Sequence, residues 1–218
     1  MLQLQPNQTL AFDGDSLTHQ RRRPALDQWP WLRLTNNHRS WADIASELLF
    51  AWRPELNLNF RNTAVGGSNS RDLLERFDST LALIRPDWTL LTLGTNDVSH
   101  GVPATEFAAN LRDYTARIAA WGGQTLFVGG LLPTVGASEA NHAKAPELAA
   151  RYAIEAEIAA ESVHSHYLDL GPAFQSKAVA LHAQWEGHAV YADGTHFSHL
   201  GALIIAGEVL KAFGVLLQ

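Results

Sequence analysis

Apolar runs of strand length alternate along this chain with longer stretches of helical period, and that alternation restricts the fold more than any other feature. Thr9-Leu10-Ala11-Phe12 reads as a first strand, ending at Asp13-Gly14-Asp15-Ser16. The next signal is helical, opening at Ser40 with Trp41, Ile44, Leu48 and Leu49 on one face. The unit then recurs. Leu56 to Phe60 predicts a second strand and Asp72 to Ile84 a helix with Leu73, Leu74, Phe77, Leu81 and Ile84 on its apolar side. Trp88 to Leu93 predicts a third strand, followed by a helix marked by Phe107, Leu111, Tyr114 and Ile118. Thr125 to Val128 is a fourth strand, Ala145 to Ser162 a helix, His166 to Leu170 a fifth strand and Leu200 to Phe213 the closing helix. Five strands alternating with five helices, the strands almost continuously apolar, predict an α/β fold. Right-handed crossovers narrow it to a three-layer α/β/α sandwich around a five-stranded parallel sheet, doubly wound. Thr18 to Arg39, Leu131 to Lys144 and Gly171 to Asp193 are too long for simple connections and are expected to wall a cleft.

The chain has 218 residues, 46% of them apolar, enough for one core and one domain over residues 1–218. Its formal net charge of −6 offers no broad positive field, so nucleic acid is not an expected partner, although Arg21-Arg22-Arg23 forms a local basic patch. Without cysteine there is no disulfide framework, no thiolate zinc site and no cysteine nucleophile. Met1 to Asn7 lacks the basic and apolar regions of a signal peptide, and no run approaches a membrane span, so a cytoplasmic protein with no membrane partner is expected. The sequence leaves the oligomeric state open.

Four segments place polar residues just past strand ends or in a terminal loop: Gly14-Asp15-Ser16-Leu17-Thr18, Asn62 to Ser68, Gly94-Thr95-Asn96-Asp97 and Asp193-Gly194-Thr195-His196. In a doubly wound sheet ligands bind at the carboxyl ends of the strands, so the first three converge. Ser16 follows a glycine that permits a tight turn, which can present its hydroxyl as a nucleophile; a helix N-cap serine would look the same in isolation. Asp193 and His196 are three apart, close enough for the carboxylate to hold the imidazole and leave its other nitrogen to take a proton. A capping aspartate with an incidental histidine is the plain alternative. The Asn96 amide and the unobstructed N–H of Gly67 can donate to an oxygen that gains negative charge, together with the Ser16 N–H.

Taken jointly, these blocks resemble the GDSL-type, or SGNH, hydrolase superfamily, named for blocks bearing Ser, Gly, Asn and His. They stand here in the family's order as Phe12 to Thr18, Asn62 to Gly67, Leu93 to Asp97 and Asp193 to Ser198, and span nearly the whole chain. The resemblance implies the family's flavodoxin-like sandwich, Ser16 as nucleophile, His196 as base, Asp193 as its partner, and Ser16, Gly67 and Asn96 as the oxyanion hole. Alignment from Asn62 favours Gly67 over Gly66. Leu73 to Phe77 and Arg85-Pro86-Asp87 look like members acting on acetylated carbohydrates. Asp13 departs from the family, where many relatives carry an apolar residue; it is read as either a further site residue or a turn former. Asp15 and Asp97 are read as loop-holding groups, and Trp29, Trp31 and Trp185 as a stacking platform for a sugar or acyl chain, or simply as core.

The expected activity is hydrolysis of a small carboxylic ester, with a short acetyl-type acyl group and possible carbohydrate alcohol, through a Ser-His-Asp triad and an acyl-enzyme. It needs no cofactor, and no metal-ligand spacing such as His-Glu-x-x-His occurs. A thioesterase or lysophospholipase stays open, as does a non-catalytic carbohydrate-binding protein.

Overall fold

The computed structural model describes residues 2–19, 40–184 and 190–215. The basic run Arg21-Arg22-Arg23 and the proposed platform of Trp29, Trp31 and Trp185 lie outside the described residues. The elements run β1 (Thr9–Gly14), α1 (Trp41–Trp52), β2 (Asn59–Asn62), α2 (Ser70–Arg76), α3 (Leu81–Ile84), β3 (Trp88–Thr92) and α4 (Thr95–Ser99). They continue with α5 (Ala104–Ala119), β4 (Gln124–Gly129), α6 (Glu139–Ala143), α7 (Ala145–Glu161), β5 (Ser165–Asp169), α8 (Gly171–Gln184) and α9 (His199–Ala212).

The five strands form one parallel sheet in the order β2-β1-β3-β4-β5. Because side chains alternate across a strand, each central strand feeds two cores. Leu10, Phe12, Leu90, Leu126 and Val128 join Trp41, Phe174 and Val209 on one face, whereas Ala11, Leu91 and Phe127 join Leu73, Phe107 and Ile118 on the other. Helices α1, α8 and α9 cover the first face and α2, α5 and α7 the second. This is the three-layer α/β/α sandwich expected from the alternation. The order reverses at β1, leaving the crevice where β1 and β3 diverge at their carboxyl ends, the place where such sheets bind ligands.

Several boundaries differ from the sequence reading. The second strand starts at Asn59 rather than Leu56, because Pro54 opens a 3-10 turn over Pro54–Leu56 and Asn57 takes the left-handed region at φ 45°. The single helix expected from Asp72 to Ile84 is two. After α2 the Thr80 hydroxyl donates to the Arg76 carbonyl at 2.7 Å and the Ser79 hydroxyl to the same oxygen at 3.0 Å, drawing the backbone out of helical register before α3. The stretch from Gly171, expected as loop, carries α8, with Phe174 and Ala178 one turn apart on its buried side. The short helices α4 and α6 also went unread. Among the described residues no helix is long and apolar enough to cross a membrane.

Candidate active site

Ser16 stands two residues past β1 on a turn that only glycine at position 14 permits. Gly14 pairs with Thr92 of β3 and has φ 124°, and a Cβ there would lie 2.0 Å from the Thr92 carbonyl oxygen. Past that point the chain folds back tightly: the Asp15 carbonyl accepts from the N–H of Thr18 at 3.2 Å and of His19 at 2.9 Å, and Asp15 Oδ1 accepts from Leu17 N–H at 2.9 Å. Thr18 Oγ1 sits 2.5 Å from Thr92 Oγ1 and accepts from the indole N–H of buried Trp41 at 3.1 Å, so the turn is bolted to β3 and α1.

His196 reaches Ser16 from the far end of the chain, its Nε2 being 2.9 Å from Ser16 Oγ. Its Nδ1 lies 3.0 and 3.2 Å from the two Asp193 oxygens. A carboxylate only accepts, so Nδ1 carries the proton and Nε2 offers its lone pair to the Ser16 hydroxyl. The tip from Asp193 to His196 closes because Asp193 Oδ1 also accepts from the N–H of Thr195 and His196 at 3.1 and 2.8 Å. Tyr191 and Phe197 bridge as antiparallel neighbours at its base.

Two residues that the sequence reading passed over hold this tip in place. Asn141 donates its amide to the Gly194 carbonyl and the Thr195 hydroxyl, both at 2.9 Å, and Ser138 N–H donates to the same carbonyl at 2.9 Å. An asparagine and a serine in a long loop carry no pattern that marks such a role; their distance from residue 194 in sequence hides it.

The second and third blocks arrive beside Ser16. Asn62 leaves β2 and donates to the Thr18 carbonyl at 3.0 Å while accepting from Ala64 N–H at 3.1 Å. Gly67 has φ 89° in a turn closed by Ser68 N–H on the Val65 carbonyl at 3.2 Å. Asn96, on α4 directly after β3, donates Nδ2 to the Ser68 carbonyl at 3.0 Å and stands 3.4 Å from Asp15 Oδ2. No acceptor among the described residues takes the N–H of Ser16 or Gly67. All five residues singled out in the sequence, Ser16, Gly67, Asn96, Asp193 and His196, are thereby gathered at one end of the sheet.

The neighbouring acids separate by role. Asp13 is 1% exposed and points to the opposite face, where Arg76 binds Oδ1 at 2.7 and 3.0 Å and Tyr114 donates to Oδ2 at 2.6 Å. It ties α2 and α5 to the end of β1 and is no part of the crevice. Burial raises its pKa in spite of the guanidinium. Asp15 and Asp97 hold loops, as read from sequence, with Asp97 Oδ1 accepting from Ser70 N–H at 3.0 Å. Burial pushes Asp15 up to about 7, and the Asp97 charge adds to it. Burial also raises Asp97, against hydrogen bonds from Ser70 and the charge of Arg151. Behind them Glu155 of α7 is 1% exposed, with neither oxygen hydrogen-bonded among the described residues; burial first, then repulsion from Asp97 and Asp15, lifts it well above the carboxylate range.

A mostly apolar cavity is lined by Leu17, Thr95 and Thr195, the chain neighbours of Ser16, Asn96 and His196, together with Val98, Leu131 and Leu148. The expectation that the stretch from Leu131 to Lys144 walls a cleft holds, since Leu131, Ala137, Asn141 and Lys144 all face this cavity. Among the described residues no group of three or more His, Asp or Glu side chains is arranged to hold a metal ion.

The model of the GDSL-like Lipase/Acylhydrolase family matches residues 12–204. Among solved structures the chain is similar to Axe2, an acetylxylan esterase from Geobacillus stearothermophilus, at 21% identity and TM-score 0.77, covering 98% of this chain and 97% of that one. It is also similar to LAE5, an alpha/beta hydrolase enzyme from the metagenome of Lake Arreo, Spain, at 22% identity and TM-score 0.76, covering 98% of each chain. No curated protein matches the sequence significantly.

Proposed function

The chain belongs to the GDSL-like lipase/acylhydrolase family and is a carboxylic ester hydrolase, and on that footing we propose that it is a serine esterase acting on short-chain, acetyl-type esters of carbohydrates. The observation that carries the reading is the hydrogen-bonded series from Ser16 Oγ to His196 Nε2 at 2.9 Å and from His196 Nδ1 to Asp193 at 3.0 Å. A binding protein has no need of a hydroxyl, an imidazole of fixed tautomer and a carboxylate in line.

Ser16 Oγ attacks the ester carbonyl carbon as its proton passes to His196 Nε2. Asp193 stays ionised and stabilises the imidazolium that forms. The oxyanion meets the N–H groups of Ser16 and Gly67 and the Asn96 amide. Ser68 occupies one Asn96 hydrogen, and the other, only loosely engaged across 3.4 Å by Asp15, is the one left for the oxyanion. Collapse expels the alcohol, which takes its proton from His196. Water then repeats the sequence on the acyl-enzyme.

The small apolar cavity lined by the chain neighbours of Ser16 and His196 suits a short acyl group, and the similarity to an acetylxylan esterase supports a sugar as the alcohol. The test is twofold. An organophosphonate should modify Ser16 alone, located by peptide mass spectrometry, and kcat/KM on p-nitrophenyl esters should fall steadily from acetyl to octanoyl while acetylated sugars are turned over. An active enzyme that takes no phosphonate at Ser16 overturns the nucleophile, and a preference for octanoyl overturns the substrate class.

A further inference from the structure

His19 lies three residues beyond Ser16 and forms no part of the proton relay, yet its ring touches the loop that carries Gly67. Its Nδ1 is 2.6 Å from the Ala64 carbonyl oxygen. A carbonyl only accepts, so Nδ1 bears the hydrogen and donates it. The N–H of the next residue, Val65, donates to the Gly14 carbonyl at 3.1 Å. The single peptide group between Ala64 and Val65 is therefore gripped at both ends by residues flanking Ser16, Gly14 on one side and His19 on the other.

That peptide sets the entry to the Val65–Ser68 turn, whose central peptide supplies the Gly67 N–H. A turn of this kind needs positive φ at its third residue, and Gly67 has φ 89°. Two adjacent glycines leave the central peptide free to flip, which would point the Gly67 N–H away from Ser16. Gly67 itself stands in open surroundings, with nothing within 4 Å of where a Cβ would be. The restraint has to come from the ends of the turn. Ser68 is held at its carbonyl by Asn96, and Val65 by the grip just described. His19 is well placed to exert it, because its own N–H is fixed on the Asp15 carbonyl at 2.9 Å and Thr18 is bound to Thr92 and Trp41.

We propose that His19 is a positioning residue of the oxyanion hole: by holding the Ala64 carbonyl it fixes the direction of the Gly67 N–H relative to Ser16. This rests on the serine-esterase reading above and adds a specificity of geometry that the reading alone does not require. The grip needs only the Nδ1 hydrogen, whereas the relay through His196 needs the Nε2 lone pair.

The test uses the difference between two amides. An asparagine side chain places its N–H₂ near the position of Nδ1, and a glutamine near that of Nε2. His19→Ala and His19→Gln should each lower kcat on an acetyl ester by about 10²-fold, the scale of a small misplacement at a reacting centre, with KM nearly unchanged. His19→Asn should recover most of kcat and keep the wild-type acid limb. Thermal melting of each variant is read alongside. If His19→Ala does not melt cooperatively, the Asn and Gln pair decides. Wild-type kcat in His19→Ala, or equal losses in His19→Asn and His19→Gln, overturns the proposal. Phosphonate labelling of wild-type Ser16 in the same series keeps that outcome separate from failure of the nucleophile itself.

Discussion

His196 Nε2 lies 2.9 Å from Ser16 Oγ although 180 residues separate the two in the chain. Because Asp193 fixes the hydrogen on Nδ1, the lone pair on Nε2 is available only while the imidazole is neutral. Hydrolysis should fall on acidification with the uptake of a single proton, measured as kcat/KM against pH, and Asp193→Asn should lower kcat by up to about 10⁴-fold by disturbing the tautomer. A flat profile across the imidazole range, with chemistry limiting the rate, would remove His196 from the role of base.

Asn96 offers a separate reading of the same site, since it takes no part in the proton relay. Asn96→Ala should lower kcat by about 10²–10³-fold with little change in KM, the expected effect of deleting one oxyanion donor. An unchanged kcat would mean that the long contact to Asp15 is the resting place of that hydrogen throughout the reaction.

How much of this was legible beforehand follows from the range of each interaction. The three inner strands read well because a parallel sheet buried on both faces makes them nearly continuously apolar, as in Trp88–Thr92, whereas the edge strand Asn59–Asn62 is largely exposed. Ser16, Gly67 and Asn96 are legible as short blocks tied to strand ends, and Asp193 and His196 as a block in the terminal loop. The second strand was misplaced by three residues because Leu56 and Leu58 are buried without belonging to it, and apolarity alone does not separate packing from pairing. Asn141 and His19 leave no sequence signal, as each donates to a backbone carbonyl far along the chain, Gly194 and Ala64, which no residue pattern marks. Asp13 is ambiguous in sequence because its partners, Arg76 and Tyr114, lie 63 and 101 residues away along the chain.

Gly14 and Gly67 should respond differently to the same substitution. A Cβ at Gly14 would stand 2.0 Å from backbone that belongs to β3, so Gly14→Ala should prevent β1 and β3 from pairing and yield little folded protein. Gly67→Ala meets open space and carries only the strain of its positive φ, about 1–2 kcal/mol. Circular dichroism melts of the two variants should show a normal fold for the second alone.

Arg76 and Asp13 form an ion pair with the carboxylate 1% exposed and the guanidinium 14% exposed. Removing the cation leaves a buried charge unpaired. Arg76→Ala should therefore cost about 3–5 kcal/mol in denaturant unfolding. Tyr114→Phe, which deletes one donor to the same carboxylate, should cost less, about 1–3 kcal/mol. Equal and negligible effects would show that the pair is dispensable to the end of β1.

Glu155 supplies the last prediction, because its two oxygens have no hydrogen-bond partner among the described residues and it is repelled by the charges of Asp97 and Asp15. An acid whose pKa is higher in the folded chain than in the unfolded one holds its proton more tightly when folded. Ionisation then favours unfolding, so stability is greatest below the unfolded value and declines as pH climbs toward the folded one. For Asp15 that window runs from 3.8 to about 7, and for Glu155 it begins at 4.5 and extends well above. The melting temperature should accordingly fall between pH 5 and pH 8. Burial lowers the pKa of His166, which acts in the opposite direction near neutrality, but it is common to both proteins in the comparison that matters. Glu155→Gln stays neutral at every pH and relieves Asp15 and Asp97 of a neighbouring charge. It should melt close to wild type at pH 5 and distinctly higher at pH 8, with a shallower slope between. Parallel slopes for the two proteins would mean that Glu155 holds its proton no more tightly in the folded chain than in the unfolded one and that the decline belongs to the other acids.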